Sequence, residues 1–143
     1  MPKTVVLSTR LAPEQEKRLQ RKARQLGRPL SETGALLIEE GLRLDEFAFI
    51  DFRDSRIGRQ AYIQGSTLAI WEVVWIARGY RNNIAKTAGH LRLPPLKVRA
   101  ALNYAEAFAE EIGIAIAEHS AADFTSLSRM LPQAEVLSVS KRK

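Results

Sequence analysis

The chain contains no cysteine, which excludes disulfides, thiolate catalysis and cysteine-bound zinc. It has only two histidines, and neither has a carboxylate on the same face of a predicted helix. The sequence also lacks the HExxH, P-loop, dinucleotide-binding and GxSxG motifs that mark common enzyme classes. We therefore expect no catalytic activity, no cofactor and no metal site.

No apolar run approaches the roughly 20 residues that a membrane-spanning helix needs. The first ten residues, MPKTVVLSTR, are too polar and too few for a signal peptide. Apolar residues make up 45% of the chain and charged residues 27%, as in ordinary globular proteins. We therefore expect a cytoplasmic protein of one ordinary domain or two small ones.

Positive charge is concentrated at the front of the chain. Residues 1–43 carry nine Lys/Arg and five Asp/Glu, a net charge of +4. Residues 110–140 carry one basic and five acidic residues, a net charge of −4. This asymmetry indicates different partners for the two ends, with a polyanion as the candidate for the basic one.

Residues 4–11, TVVLSTRL, alternate in a way that is typical of a strand, with Val5, Leu7 and Leu11 on one face. Pro13 is expected to begin a helix that runs to Leu26, and Gly27 is expected to cap its C-terminal end. A second helix follows, with Ser31 as its expected N-cap. One strand and two helices in about 44 residues cannot form a core alone, whereas two chains with paired strands can.

The motifs LSTRL and LGRPLSE, at the extreme N-terminus, resemble the ribbon-helix-helix family of dimeric repressors, of the Arc, MetJ and CopG kind. The resemblance covers residues 3–44. It implies that a two-stranded ribbon enters the major groove of DNA and that the start of the second helix binds phosphate. The DNA-binding residues implied in this way are Thr4, Val6, Ser8, Arg10, Arg28, Leu30 and Ser31. The alternative is a dimerisation arm whose charges are only solvated.

After Leu44 the pattern predicts a hairpin around RDSRIGR, then a corner at Gly65 and an apolar helix containing Trp71 and Trp75. Ser66 or Thr67 is the expected N-cap of that helix. A short helix ending near His90 and another beginning at Pro95 form a helix-turn-helix pattern. The second of these helices is expected to present Leu96, Lys97, Arg99, Ala100 and Asn103 outward.

The segments IDFRD, GRQAYIQGSTLAIWEVV and LPPLKVRAALNYAEAF resemble a bacterial and archaeal domain family, formerly of unknown function, that is grouped with antitoxins of the VapB kind. The resemblance runs over about residues 47–119. The family's usual Gly-Thr-Arg corner is Gly65-Ser66-Thr67 here, so no contact of that arginine carries over. The resemblance implies a small toxin partner with a PIN-nuclease-like fold.

The helix-turn-helix pattern can make a second DNA contact, or it can serve only to pack the domain. The residues available for such a contact are Arg92, Lys97, Arg99 and Asn103. The C-terminal segment after residue 119 is a candidate toxin-binding segment, as a helix in a groove or an added strand. Its candidate contact residues are Phe124, Leu127, Met130, Leu131 and Val136. The tail can equally fold back on its own domain or on a dimer mate.

The sequence thus predicts a mainly α protein with short β elements. Residues 1–44 form a ribbon-helix-helix arm that dimerises and binds DNA, residues 45–119 a β-hairpin plus helix-turn-helix domain, and residues 120–143 a toxin-binding tail. The expected function is that of an antitoxin, which represses its own operon as a homodimer, or a higher oligomer, and neutralises a PIN-like ribonuclease. The alternatives are a stand-alone ribbon-helix-helix regulator and a dimeric scaffold that does not bind DNA.

Overall fold

The computed structural model describes residues 4–56 and 58–130, with the backbone alone from residue 120 onward. This part of the chain is mainly helical, with one small antiparallel two-stranded sheet. The helices are α1 (Pro13–Leu26), α2 (Leu30–Glu46), α3 (Ile70–Gly79), α4 (Ile84–Leu91), α5 (Pro95–Ala107) and α6 (Ala109–Met130), and the strands are β1 (Ile50–Ser55) and β2 (Gly58–Ile63). The mainly α class with short β elements is confirmed.

The contacts between residues divide the chain into two compact units. Unit 1 contains the chain up to Glu46, together with the hairpin turn Arg56–Gly58. Unit 2 contains Phe47–Ser55 and the described chain from Arg59 onward. Unit 1 therefore has α1 and α2 as its regular elements, and unit 2 has the sheet and α3 to α6.

Helix α1 has the ends that its sequence predicts. Pro13 is its first residue, and the Gln15 side chain accepts a hydrogen bond from the Ala12 amide (3.0 Å), so an amide outside the helix is satisfied. Gly27 closes the helix in the left-handed region with φ 63°, which glycine adopts without a steric penalty. Only Ala23 is buried on this helix, so α1 offers little apolar surface to α2.

Helix α2 begins at Leu30, so the prediction of Ser31 as its N-cap is wrong. The chain enters the helix from Pro29, whose carbonyl oxygen accepts hydrogen bonds from both the amide and the hydroxyl of Thr33 (3.0 Å each). The Thr33 side chain is fully buried and satisfies its hydroxyl in this way. A threonine in place of an apolar residue is thereby accommodated within unit 1.

The corner between β2 and α3 is formed differently from the prediction. Ser66 Oγ donates to the carbonyl oxygen of Ile63 and accepts from the amide of Leu68, both at 3.1 Å. The N-cap of α3 is Ala69, whose amide donates to the Glu72 carboxylate (3.2 Å). Ser66 therefore closes the turn, and neither it nor Thr67 caps the helix. Gly65 adopts φ +78° at this corner, as its role in a sharp turn requires.

The core of unit 2 lies between the sheet and helices α3, α5 and α6. Its central side chains have no solvent exposure: Ile63, Ile70, Val73, Val98, Ala101 and Tyr104. The Tyr104 hydroxyl donates to a carboxylate oxygen of Glu111 (2.8 Å), which ties α5 to α6. The rings of Phe47 and Phe108 pack around Tyr104, with centroids at 5.5 and 4.8 Å.

One predicted orientation on α5 differs from the structure. Ala100 was expected to face outward, but it is buried (8% exposed), because α5 packs against α3, α4 and α6 and more than one of its faces is covered. On α3, Trp71 is buried, whereas Trp75 is 51% exposed. The predicted hairpin, the end of α4 near His90 and the start of α5 at Pro95 are all confirmed.

Candidate nucleic-acid interface

The N-terminal segment carries the main predicted DNA-reading residues. Residues 4–12 have no regular secondary structure, so the strand expected there is not formed in the single chain. A strand needs a neighbour for its amides and carbonyls, and none of the described residues pairs with this segment. Thr4, Val6, Ser8 and Arg10 are all exposed. On the alternate positions, Val5 is 84% and Leu7 73% exposed.

The predicted phosphate site at the start of α2 has groups that are free to bind an anion and groups that oppose binding. Leu30 and Ser31 are exposed in the first turn, where helix amides have no acceptor within the helix. The Arg28 amide, in contrast, donates to the carbonyl oxygen of Ala23 (3.1 Å). Glu32 places a carboxylate in the same turn and opposes an approaching anion. The first-turn amides of α2 and the exposed Arg28 side chain therefore remain for phosphate.

The candidates for a second DNA contact lie on or beside α5. Arg99 and Asn103 are exposed on that helix, and Arg92 is exposed at the end of α4. Arg92 has φ 55°, a left-handed conformation that makes the turn between α4 and α5 tight. Lys97 is different, because its ammonium group donates to the carbonyl oxygen of Gln64 (2.9 Å). Lys97 thus stabilises the β2–α3 corner.

The helices α3 to α5 have a strong excess of positive charge. Between residues 70 and 107 there are six Lys/Arg and two carboxylates, Glu72 and Glu106, and Glu72 already accepts a hydrogen bond from the chain. Apart from the half-buried Lys97, these basic residues are exposed: Arg78, Arg81, Lys86, Arg92 and Arg99. Such a surface attracts polyanions at moderate ionic strength.

Arg53 is a structural cation that the sequence analysis missed. Its guanidinium makes two parallel hydrogen bonds to the Asp51 carboxylate (2.9 and 3.0 Å) and donates to the carbonyl oxygen of Ser66 (2.7 Å). The guanidinium carbon also lies 4.9 Å from the Tyr62 ring centroid. The hydrogen bonds that Arg53 donates to Asp51, together with the negative charge of that carboxylate, raise the pKa of Arg53. Arg53 and Lys97 thus hold the corner from two sides, through partners 13 and 33 residues away in sequence.

The candidate toxin-binding residues lie at the C-terminal end. Phe124, Leu127 and Met130 belong to α6, which continues without a break past residue 119, and only their backbone is described. Leu131 and Val136 lie outside the described residues. On the preceding turn of α6, the His119 ring stacks on Trp71 with centroids 3.9 Å apart. The candidate segment is therefore connected directly to the core of unit 2 by one helix.

Within the described residues, no group of three potential ligand side chains is arranged to hold a metal ion, and no helix is long and apolar enough to cross a membrane. Comparison of the chain with protein-family models, curated proteins and solved structures gave no match.

Proposed function

We propose that the protein is an antitoxin, a cytoplasmic homodimer that binds its own operator through an N-terminal ribbon-helix-helix arm and neutralises a PIN-like ribonuclease toxin. One observation carries the proposal more than any other. An alternating apolar segment at the N-terminus is fully exposed in the single chain, beside two helices that have almost no buried core. This arrangement is the expected state of half of an interlocked dimer.

The buried surface of unit 1 supports dimerisation. Among its described residues only Ala23, Thr33 and Glu40 are buried, too few for a unit of this size to fold alone. Ile38 and Leu42 on α2 are 51% and 53% exposed. A groove of 440 Å³ is lined by Leu11, Gln15, Arg18, Leu19, Lys22 and Leu37. A second copy supplies both an apolar cover for these side chains and a partner strand for the N-terminal segment.

The chemistry of the N-terminal segment supports DNA recognition. If the segment pairs as a ribbon that buries Val5 and Leu7, then Val6, Ser8 and Arg10 lie on the opposite face. Arginine makes bidentate hydrogen bonds to guanine, and a serine hydroxyl donates or accepts at a base edge. Thr4 at the margin, the Arg28 side chain and the first amides of α2 would contact phosphates and fix the register.

The helix pair α4–α5 supports a second DNA contact within the same proposal. Two helices joined by a tight turn, with exposed Arg92, Arg99 and Asn103, are compatible with a helix-turn-helix motif. Lys97 contributes less than the other candidates, because contact with DNA would cost its hydrogen bond to Gln64. This second contact would add phosphates to the interface and would increase the salt dependence of binding.

The neutralising element in this proposal is the chain from residue 120 onward, which begins on the last turns of α6. The acidic residues of α6 and of the chain beyond it, Glu111, Glu118, Asp123 and Glu135, suit a partner that holds RNA with basic groups. Binding of an amphipathic helix in a groove of the toxin is one mode, and addition of a strand is the other.

DNA binding is tested with the full chain and the DNA upstream of its own reading frame, by mobility shift and fluorescence anisotropy. Arg10→Ala should abolish specific binding, while Arg21→Ala, an equally exposed arginine on α1, should leave it within about twofold. The logarithm of the affinity should fall with the logarithm of the salt concentration by about 0.9 per phosphate contact. Specific binding that survives Arg10→Ala refutes the ribbon assignment, and a flat salt response supports a scaffold without DNA affinity.

Toxin binding is tested by co-expression with the small protein encoded beside this gene. The full chain should relieve growth arrest and co-purify with that protein, and a chain that ends at residue 119 should do neither while still binding DNA. Neutralisation by the truncated chain would place the toxin site elsewhere. A neighbouring protein without ribonuclease activity would support the stand-alone regulator.

A further inference from the structure

Unit 2 has a surface groove that plays no part in the proposed DNA or toxin contacts. Its volume is 570 Å³, within the roughly 300–1,000 Å³ that is usual for small-molecule sites. It lies at the C-terminal ends of α3 and α4 and against the middle of α6. The lining residues are Trp75, Ile76, Arg78, Gly79, Tyr80, His90 and Ile116.

The walls of the groove are suited to a flat apolar ligand. Trp75 leaves 51% of its surface exposed, although it has a buried tryptophan neighbour, Trp71, at 6.3 Å between centroids. Ile76 and Ile116 are half-buried in the same groove. An aromatic ring that stacks on Trp75 between these two side chains would remove apolar surface from water at both partners.

The polar groups of the groove favour a negative charge. The Arg78 guanidinium has no ion pair or hydrogen bond among the described residues, and none of the lining residues is acidic. His90 Nδ1 is 2.7 Å from the Tyr80 hydroxyl. When Tyr80 donates this bond, the neutral imidazole carries its proton on Nε2 and becomes a second donor. Arg78 and His90 together can bind the two oxygens of a carboxylate.

The C-terminal end of α3 would oppose an anion if its carbonyl oxygens were unpaired. Instead, the Ala77 carbonyl accepts from the amides of Tyr80 and Asn82 (3.0 and 2.7 Å). The Arg78 carbonyl accepts from the amide of Arg81 (3.1 Å). Arg81 and Asn82 reach these bonds by adopting positive φ values of 54° and 60°. The side chains of Arg78 and His90 therefore determine the charge preference of the groove.

We propose that this groove binds a small aromatic carboxylate, whose ring stacks on Trp75 and whose carboxylate contacts Arg78 and His90. The site is independent of the proposed antitoxin function, because none of its lining residues is among those proposed to contact DNA or the toxin. It places a ligand at the junction of α3, α4 and α6.

The experiment titrates 2-naphthoate, as a probe, into the full chain by isothermal calorimetry and by tryptophan fluorescence. We expect saturable one-to-one binding with a dissociation constant on the order of 1 mM or below, as for a ligand of this size. Arg78→Gln should weaken binding at least fivefold, and His90→Gln at least threefold. The matched control is Arg81→Gln, an exposed arginine of the same turn that does not line the groove, and it should change the affinity less than twofold.

The neutral isostere 2-naphthamide separates charge recognition from stacking. It should bind the wild type at least fivefold more weakly than 2-naphthoate, and the difference should disappear in Arg78→Gln. Trp75→Ala should weaken both ligands, with an unchanged circular dichroism spectrum because the side chain is half exposed. Binding that is absent, non-saturable, indifferent to Arg78→Gln or equally weakened by Arg81→Gln would overturn the proposal.

Discussion

The corner between β2 and α3 should depend on Arg53, whose guanidinium joins the Asp51 carboxylate to the Ser66 carbonyl oxygen. Hydrogen bonds to a charged group contribute about 1.5–3 kcal/mol when buried, whereas exposed ion pairs contribute about 0–1 kcal/mol. The Arg53 and Asp51 side chains are 37% and 33% exposed, so an intermediate value applies. Arg53→Met should therefore lower the free energy of unfolding by about 1–2 kcal/mol.

The measurement is urea unfolding of the full chain, followed by the fluorescence of Trp71 and Trp75, which both lie in unit 2. A double-mutant cycle with Asp51→Asn isolates the pair, and its coupling energy should be about 1 kcal/mol. Arg99→Met is the matched control, since Arg99 is exposed on α5 and methionine is as good a helix former as arginine. Additive effects within about 0.3 kcal/mol, or an equal loss in the control, would refute the proposed role of Arg53.

The same pair also predicts a pH dependence. The hydrogen bond that Arg53 donates to Asp51 raises the pKa of Arg53, so the folded protein holds this proton more tightly than the unfolded chain does. The stability contributed by Arg53 is complete below its unfolded pKa and is lost only as the pH rises through the folded pKa, in the strongly alkaline range. The difference in stability between wild type and Arg53→Met should therefore be constant between about pH 6 and 9. A difference that shrinks within this window would contradict the assignment.

Further substitutions test a helix cap and the packing. Gly27→Ala should destabilise unit 1 by about 1 kcal/mol, because φ is +63° at this position and a Cβ is disfavoured there. Gly27→Asn should cost about half as much. Unfolding followed by circular dichroism measures both, and variants as stable as the wild type would contradict the left-handed cap. Tyr104→Phe should cost about 1–2 kcal/mol through the lost bond to Glu111, and Glu111→Gln should cost less, as urea unfolding by fluorescence would show. Val98→Ala should cost about 2 kcal/mol, since the side chain is fully buried, and a loss below about 0.5 kcal/mol would show that the core repacks.

Helix ends that are marked by proline or glycine could be predicted from the sequence. Pro13 and Gly27 bound α1, and Pro95 begins α5, because each residue restricts or permits a particular backbone conformation irrespective of its surroundings. The hairpin was also predictable, from apolar strands on either side of a polar turn. These predictions depend only on local steric rules.

The details at the corner could not be predicted because they depend on distant groups. Three side chains near α3 can cap a helix, namely Ser66, Thr67 and Glu72, and the actual turn at Gly65 decides which of them reaches an amide. Lys97 was expected to point outward, yet its ammonium group finds the Gln64 carbonyl, 33 residues away. Periodicity describes one element and carries no information about such partners.

Burial on the helices of unit 2 was predicted only in part for a related reason. A helical pattern identifies one apolar face, but α5 contacts three other helices, so Ala100 is buried outside that face. Conversely, an apolar residue on such a helix need not be buried: Trp75 is as apolar as Trp71 but remains half exposed. The N-terminal segment is a separate case, because its predicted strand needs a second chain, and the DNA-reading role of its residues stays a prediction.

Helix α6 runs without a break from the core of unit 2 to the end of the described chain. Its 22 residues span roughly 33 Å at 1.5 Å per residue. Ile112 belongs to the core and Ala115 and Ile116 pack against it, and helix formation is cooperative along the backbone. Any partner that binds residues 120–130 only in the folded protein therefore stabilises unit 2 by an amount that rises with the partner's concentration. The melting temperature of unit 2, measured by tryptophan fluorescence, would rise with the concentration of such a partner. Because Trp71 stacks on His119 of α6, its fluorescence would report binding at the far end of that helix.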